Sequence, residues 1–359
     1  MPELNRKFNN QGLRTHLAKF ALYFFKVIGL LPLGVKLTSG RLEIHTSRIG
    51  YAYSLFLVVV IFGLDFYSIP YTYQMQYIGD SVLTRRLKLT KAVIGTIVLF
   101  LVWFIMCLRQ RVLTDIISKW INVDREMTSY NQIHQMRASS PLLMVFFISN
   151  LMIWAGVITT DVLILEAFGA NVLFWVSMII PSFIVSWLLI QYTMVLCLLT
   201  LRFQSVNRTI VKLNGVSEGI SLDHYITPVL RVPLDRSIVG TLLAVKKIHA
   251  HYYEVSNDIA NFYAVPLLFA VTFYCGTIIY SAYYLIIPLI SISWGDRIVL
   301  NTANAVLMLI MQLFPIVMMA ICVNRLTHEM NMTADAVHKL LAWSLPSREV
   351  KSEVNQFEI

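Results

Sequence analysis

Six stretches of the chain stay apolar long enough to cross a bilayer: Gly50 to Tyr73, Ala92 to Leu108, Pro141 to Leu163, Val172 to Leu201, Tyr263 to Pro288 and Ile298 to Val323. A hydrocarbon core about 30 Å thick takes roughly 20 helical residues. None of the runs shows the period-two alternation of a barrel strand, and in lipid only a helix satisfies its backbone groups within one segment. The pattern predicts an all-α, polytopic transmembrane helical bundle of about six spans, occupying residues 50–323.

Between the runs, polar segments define the remaining organisation. Residues 1–49 form an N-terminal segment in which Phe20 to Val35 is interrupted by Lys26 and is too short to span. It reads as an amphipathic helix stopped by Gly34, lying at the interface, re-entering the membrane or packing on the cytoplasmic side. It also lacks the small-residue cleavage site of a signal peptide. The longest polar connection, about residues 202–262, is predicted to continue as helix on both flanks, with a loop marked by Asn214, Gly215, Gly219, Pro228 and Pro233. Residues 324–359 read as a tail helix.

Composition agrees with this picture. Hydrophobic residues make up 57% and charged residues 14% of the 359, where soluble domains carry roughly 25% charged. The net charge of +9 is a question of place. If the spans alternate, 24 of the 29 Lys and Arg fall on the side of the N-terminus and five on the other, four of them near Arg85 to Lys91. That partition makes the N-terminal side cytoplasmic and accounts for the charge without a nucleic-acid partner. The four cysteines, Cys107, Cys197, Cys275 and Cys322, sit in apolar runs and spell neither a disulfide framework nor a metal motif.

No catalytic signature is present, and no cofactor is implied. His249 and His251 are two apart and face different directions on a helix. Candidate chemistry lies instead in polar groups carried into the spans, each costing about 2.5–3.5 kcal/mol at a helix centre if charged. Asp65 lies deep in the first span and Asp161 near the outer end of the third. Tyr280, Tyr283 and Tyr284 share one face of the fifth at helical spacing. Facing them on neighbouring outer half-helices are Trp154 and Thr159, Trp175 and Met178, and Asn301 and Asn304. Such a set suits a pocket for partly polar organic molecules, while a salt bridge or an aromatic interfacial belt would use the same residues structurally. Pro181, Pro266 and Pro315 within spans can kink or hinge their helices. Asp124-Arg125-Glu126 is similar to the acidic–Arg pair of G-protein-coupled receptors, but it follows the wrong span in an inverted orientation.

Three segments carry a closer resemblance. VIGLLPLG (Val27 to Gly34), HYYEVSNDIANFYAVPLL (His251 to Leu268) and NRLTHEMNMTADAVHKLLAW (Asn324 to Trp343) resemble, in order and spacing, the opening segment, the cytoplasmic anchor and the helix linking the last two spans of insect gustatory receptors. The resemblance implies a taste receptor of the chemosensory-neuron plasma membrane: a tetrameric cation channel, homomeric or mixed with other gustatory subunits and embedded in lipid. A small-molecule tastant would bind among the outer halves of spans two to six. The family's seventh span carries TY, five apolar residues and QF and lines the pore, whereas this chain stops at Gln356-Phe357-Glu358-Ile359 with no apolar run before it. The expectation is insertion with little or no conductance. An odorant receptor of the same superfamily shares the architecture; a secondary transporter would need repeats, and none is visible.

Two sequons, Asn207-Arg208-Thr209 and Asn331-Met332-Thr333, fall on the cytoplasmic side of this topology. Both are expected to stay unmodified. A glycosidase-sensitive mobility shift assigned to either asparagine contradicts the orientation.

Overall fold

The structure, a computed structural model, describes residues 20–38, 41–74, 82–130, 141–168, 172–223, 231–290 and 296–343. Helix α1 covers residues 20–27. It is followed by strands β1 (Leu33–Thr38) and β2 (Arg41–Thr46), and then by α2 (Arg48–Gln74), α3 (Val82–Leu108), α4 (Gln110–Tyr130), α5 (Pro141–Phe168), α6 (Val172–Asp223), α7 (Arg231–Ile290) and α8 (Asp296–Trp343). Six of these helices contain stretches long and apolar enough to cross a membrane, within α2, α3, α5, α6, α7 and α8. The protein is a polytopic helical bundle.

The helices outrun the apolar runs. α6 has 52 residues, α7 has 60 and α8 has 48, so part of the loop expected from Asn214 is helical. Asn214, Gly215 and Gly219 lie in α6, Pro233 lies in α7, and Pro228 lies outside the described residues. The tail helix expected from residue 324 is the continuation of α8 to Trp343. The QF at Gln356-Phe357 lies outside the described residues. Nothing in helix physics stops a helix where polarity begins; Gly and Pro are the strong breakers, and between Leu201 and Leu213 there is neither.

The chain divides into two compact units. Unit 1 comprises Met1–Asp115, Pro141–Met194 and Asn261–Ala320, and unit 2 comprises Ile116–Ser140, Val195–Ala260 and Ile321–Ile359. In unit 1 the N-terminal segment departs from the expected helix to Val35. α1 ends at Gly29, whose φ of 79° is a left-handed conformation that glycine adopts without strain. Leu33 to Thr46 then form an antiparallel hairpin, paired from Leu33↔Thr46 to Thr38↔Arg41.

This entry segment is bound into the bundle. Tyr53 Oη donates to Val27 O at 2.6 Å, Trp103 Nε1 to Ile28 O at 3.2 Å, and Gln110 Nε2 to Pro32 O. On its other side the Phe24 ring lies 4.4 Å from Trp187 and 5.4 Å from Phe147, with Phe183 and Phe25 completing an aromatic cluster. Edge-to-face aromatic pairs add about 0.5–1.5 kcal/mol each beyond their burial. α1 is thus packed on α5 and α6.

Unit 2 is held by a core including Phe203, Val206, Tyr252 and Val255 and by charges matched between helices. Asp124 accepts from Arg202 Nη2 at 2.6 Å and from Tyr252 Oη at 2.7 Å. Lys119 reaches both Glu254 and Asp258 at 2.9 Å. Hydrogen bonds that it donates, to Asp258 first and then to Glu254, hold the Lys119 ammonium above the usual lysine range. The Asp-Arg-Glu triplet therefore serves interhelical packing: Asp124 ties α4 to α6 and α7, and Glu126 pairs with Lys247 at 2.8 Å. Asn207 is buried, donates to Glu329 O at 2.8 Å and accepts from Thr333 Oγ1 at 2.7 Å. It is closed to glycosylation whatever its side of the membrane, which leaves the exposed Asn331 as the informative sequon.

Trp187→Ala removes a side chain with 0% exposure at the centre of the aromatic cluster. A cost of about 3–5 kcal/mol is expected for such a truncation. It should appear as a clear fall in the melting temperature of detergent-purified protein, with Phe66→Ala, 85% exposed, as the neutral control.

Candidate ligand-binding site

In unit 1, polar side chains from four helices converge near the ends of α3, α5, α7 and α8. Asp161 on α5 is buried, at 6% exposure, and its Oδ1 accepts from Asn304 Nδ2 of α8 at 2.8 Å. Asn304 Oδ1 in turn accepts from Thr160 Oγ1 at 2.9 Å, so both ends of the amide are used and its orientation is fixed. Asp161 Oδ2 closes no hydrogen bond of ordinary geometry. Lys91 on α3 and Trp175 on α6 lie near the same carboxylate, and the indole closes no hydrogen bond to it.

The tyrosine face of α7 meets this group through cations. Lys91 Nζ lies 4.9 Å from the Tyr280 ring centre and Lys88 Nζ lies 5.7 Å from that of Tyr284. The Tyr280 and Tyr284 rings are 4.7 Å apart, with Tyr283 5.9 Å from Tyr284. Ammonium groups over tyrosine faces gain about 0.5–2 kcal/mol, more where water is excluded. The result is a cation–aromatic–carboxylate–amide constellation able to grip a molecule with hydrogen-bonding groups on an apolar body.

Of the residues singled out from sequence, the structure thus brings together Asp161, Asn304, Tyr280, Tyr284, Tyr283 and Trp175. Others fall elsewhere. Thr159 is exposed and bonds its own Ala155 O at 2.8 Å; its neighbour Thr160 takes the inward position. Asn301 is exposed and Met178 half-buried. Trp154, 1% exposed, packs at 5.0 Å on Phe183. Asp65 is on α2, where Oδ2 accepts from Thr96 Oγ1 of α3 at 2.5 Å.

By run length, Lys88 and Lys91 fall in the connection between the first two spans. They are helical, because α3 begins at Val82, ten residues before the apolar run. The signal was present: four cations crowded on the side that should be poor in them, opposite a tyrosine-rich face and an aspartate. Among the described residues no group of three or more His, Cys, Asp or Glu could hold a metal ion.

The chain matches the family model described as 7tm Chemosensory receptor over residues 18–358. No curated protein matches it.

Removing charge from one member should expose the coupling. Asp161→Asn keeps an acceptor for Asn304 but removes the negative charge near the Lys91 ammonium, and Lys91→Met removes the cation near the carboxylate, so each single variant should lower thermal stability. The double variant should recover part of the loss, giving a coupling of about 0.5–3 kcal/mol. Strictly additive losses in that cycle mean the two charges do not interact.

Proposed function

Since the chain belongs to the 7tm chemosensory receptor family, we propose that it is a gustatory receptor subunit, part of a tastant-gated cation channel in the plasma membrane of chemosensory neurons. As a family member it is a chemoreceptor in a multi-pass membrane context. The finer assignment to taste draws its support from the three segments at Val27 to Gly34, His251 to Leu268 and Asn324 to Trp343. In this reading the N-terminus is cytoplasmic, the ligand site lies among the membrane spans, and the helical connection of about residues 202–262 is the cytoplasmic anchor. The working form is a homo- or hetero-tetramer.

The observation that carries a ligand-binding role is the Asp161–Asn304 pair under the Lys91–Tyr280 contact. A bundle needing only stability would fill these positions with apolar residues, because paired charges away from water rarely improve on hydrophobic packing. Retaining a carboxylate, an ammonium, an amide and tyrosines at one spot suits recognition. A tastant engaging them opens the channel to the extent that it binds the open state more tightly than the closed one.

The test is a panel of water-soluble tastants on cells expressing the chain with partner gustatory subunits, read as calcium entry or current. A tastant-evoked response is expected. Its half-maximal concentration should rise about tenfold or more in Asp161→Asn, since a hydrogen bond to a charged group is worth about 1.5–3 kcal/mol, and should stay unchanged in Thr159→Ala. Responses confined to volatile odorants would move the protein to the olfactory branch.

A further inference from the structure

Deeper in unit 1, α5 and α6 face each other through a second polar set that the ligand cluster does not use. Ser186 Oγ donates to Asn150 Oδ1 at 3.0 Å, which fixes the register between the two helices. Four residues along α5 in one direction and along α6 in the other, Trp154 comes opposite Ser182. The Trp154 ring 5.0 Å from that of Phe183 agrees. Tyr274 Oη of α7 donates to Ser182 O at 2.8 Å and closes the third side.

Every polar residue of this set is shut away from the surface: Asn150 and Ser186 are 0% exposed, Trp154 1%, Ser182 2% and Tyr274 0%. Yet Asn150 Nδ2, Trp154 Nε1 and Ser182 Oγ have no hydrogen-bond partner in the protein. Ser182 does not even make the bond to the carbonyl one turn back that Thr193 and Thr200 of the same helix make at 2.8 and 2.9 Å. Buried polar groups in native proteins are almost always satisfied, and where protein partners are missing ordered water supplies them.

The unmatched inventory is one of donors. Asn150 Nδ2 has two N–H groups and Trp154 Nε1 one, while the Ser182 hydroxyl can give or take. A small molecule that accepts from the nitrogens and exchanges with the hydroxyl would satisfy them. We propose that the α5–α6 interface encloses a buried hydration site, in which ordered water bridges Asn150, Trp154 and Ser182. The water completes the contact that the Ser186–Asn150 bond begins. It lies beside Pro181, where α6 lacks one backbone hydrogen bond, so the joint between the helices is bridged by a partner that can be exchanged.

Two measurements decide it, neither needing a tastant. A structure of the protein in a lipid nanodisc, at a resolution that shows water, should place density within hydrogen-bond distance of Asn150 Nδ2 and Ser182 Oγ. Carbon atoms packed against both overturn the proposal. In thermal unfolding, Ser182→Ala removes one partner while keeping the shape of the side chain nearly unchanged. With water present, it should lower the melting temperature by a few degrees. In a dry interface it deletes an unsatisfied polar atom, so an unchanged or raised melting temperature contradicts the site.

Discussion

A polar side chain carried into an apolar bundle has no bulk water to answer it, so its partner has to come from another helix. That constraint organises unit 1. Asp65 of α2 is met by Thr96 of α3, Asp161 of α5 by Asn304 of α8, Asn150 of α5 by Ser186 of α6, and Gln312 of α8 donates to Ser281 of α7 at 3.2 Å. Each pair also fixes the register of two helices that dispersion alone would leave free to slide, because apolar surfaces in lipid gain little from one register over another. The polar groups thus serve as fasteners first, and a ligand site can grow only where a fastener keeps spare hydrogen-bonding capacity. Asp161, with one oxygen committed and one open, is such a place.

The same constraint explains what could be read from the chain in advance. Run length alone located the six long apolar helices, because a hydrocarbon core sets a length scale that soluble folds lack. The extents of α6, α7 and α8 were less legible, since hydropathy reports what surrounds a residue and says nothing about whether the backbone stays helical. The β1–β2 hairpin was misread as the end of a helix. Yet Val35 and Leu37 alternate with Lys36 and Thr38, Leu42 and Ile44 alternate with Glu43 and His45, and Ser39-Gly40 stands between them. That short period-two pattern was masked by the apolar run preceding it.

At the candidate site the sequence located residue types better than partners. Helical spacing put Tyr280 and Tyr284 on one face, but only the three-dimensional arrangement shows that lysines of α3 cover them. Thr159 and Thr160 cannot be told apart by composition. Which one faces inward depends on the rotation of α5, and the Thr160–Asn304 bond sets it. Asn207 shows the converse, a sequon whose chemistry is spent on packing against Glu329 and Thr333.

The Asp161–Asn304–Lys91–Tyr280 constellation is the proposed seat of the ligand. The most direct measurement is a pair of structures in lipid nanodiscs, with and without an agonist found by functional screening. Agonist density is expected with a polar atom within hydrogen-bond distance of Asp161 Oδ2 and an apolar face against Tyr280. Agonist density elsewhere in the protein, with the Asp161 carboxylate unchanged between the two structures, would contradict it.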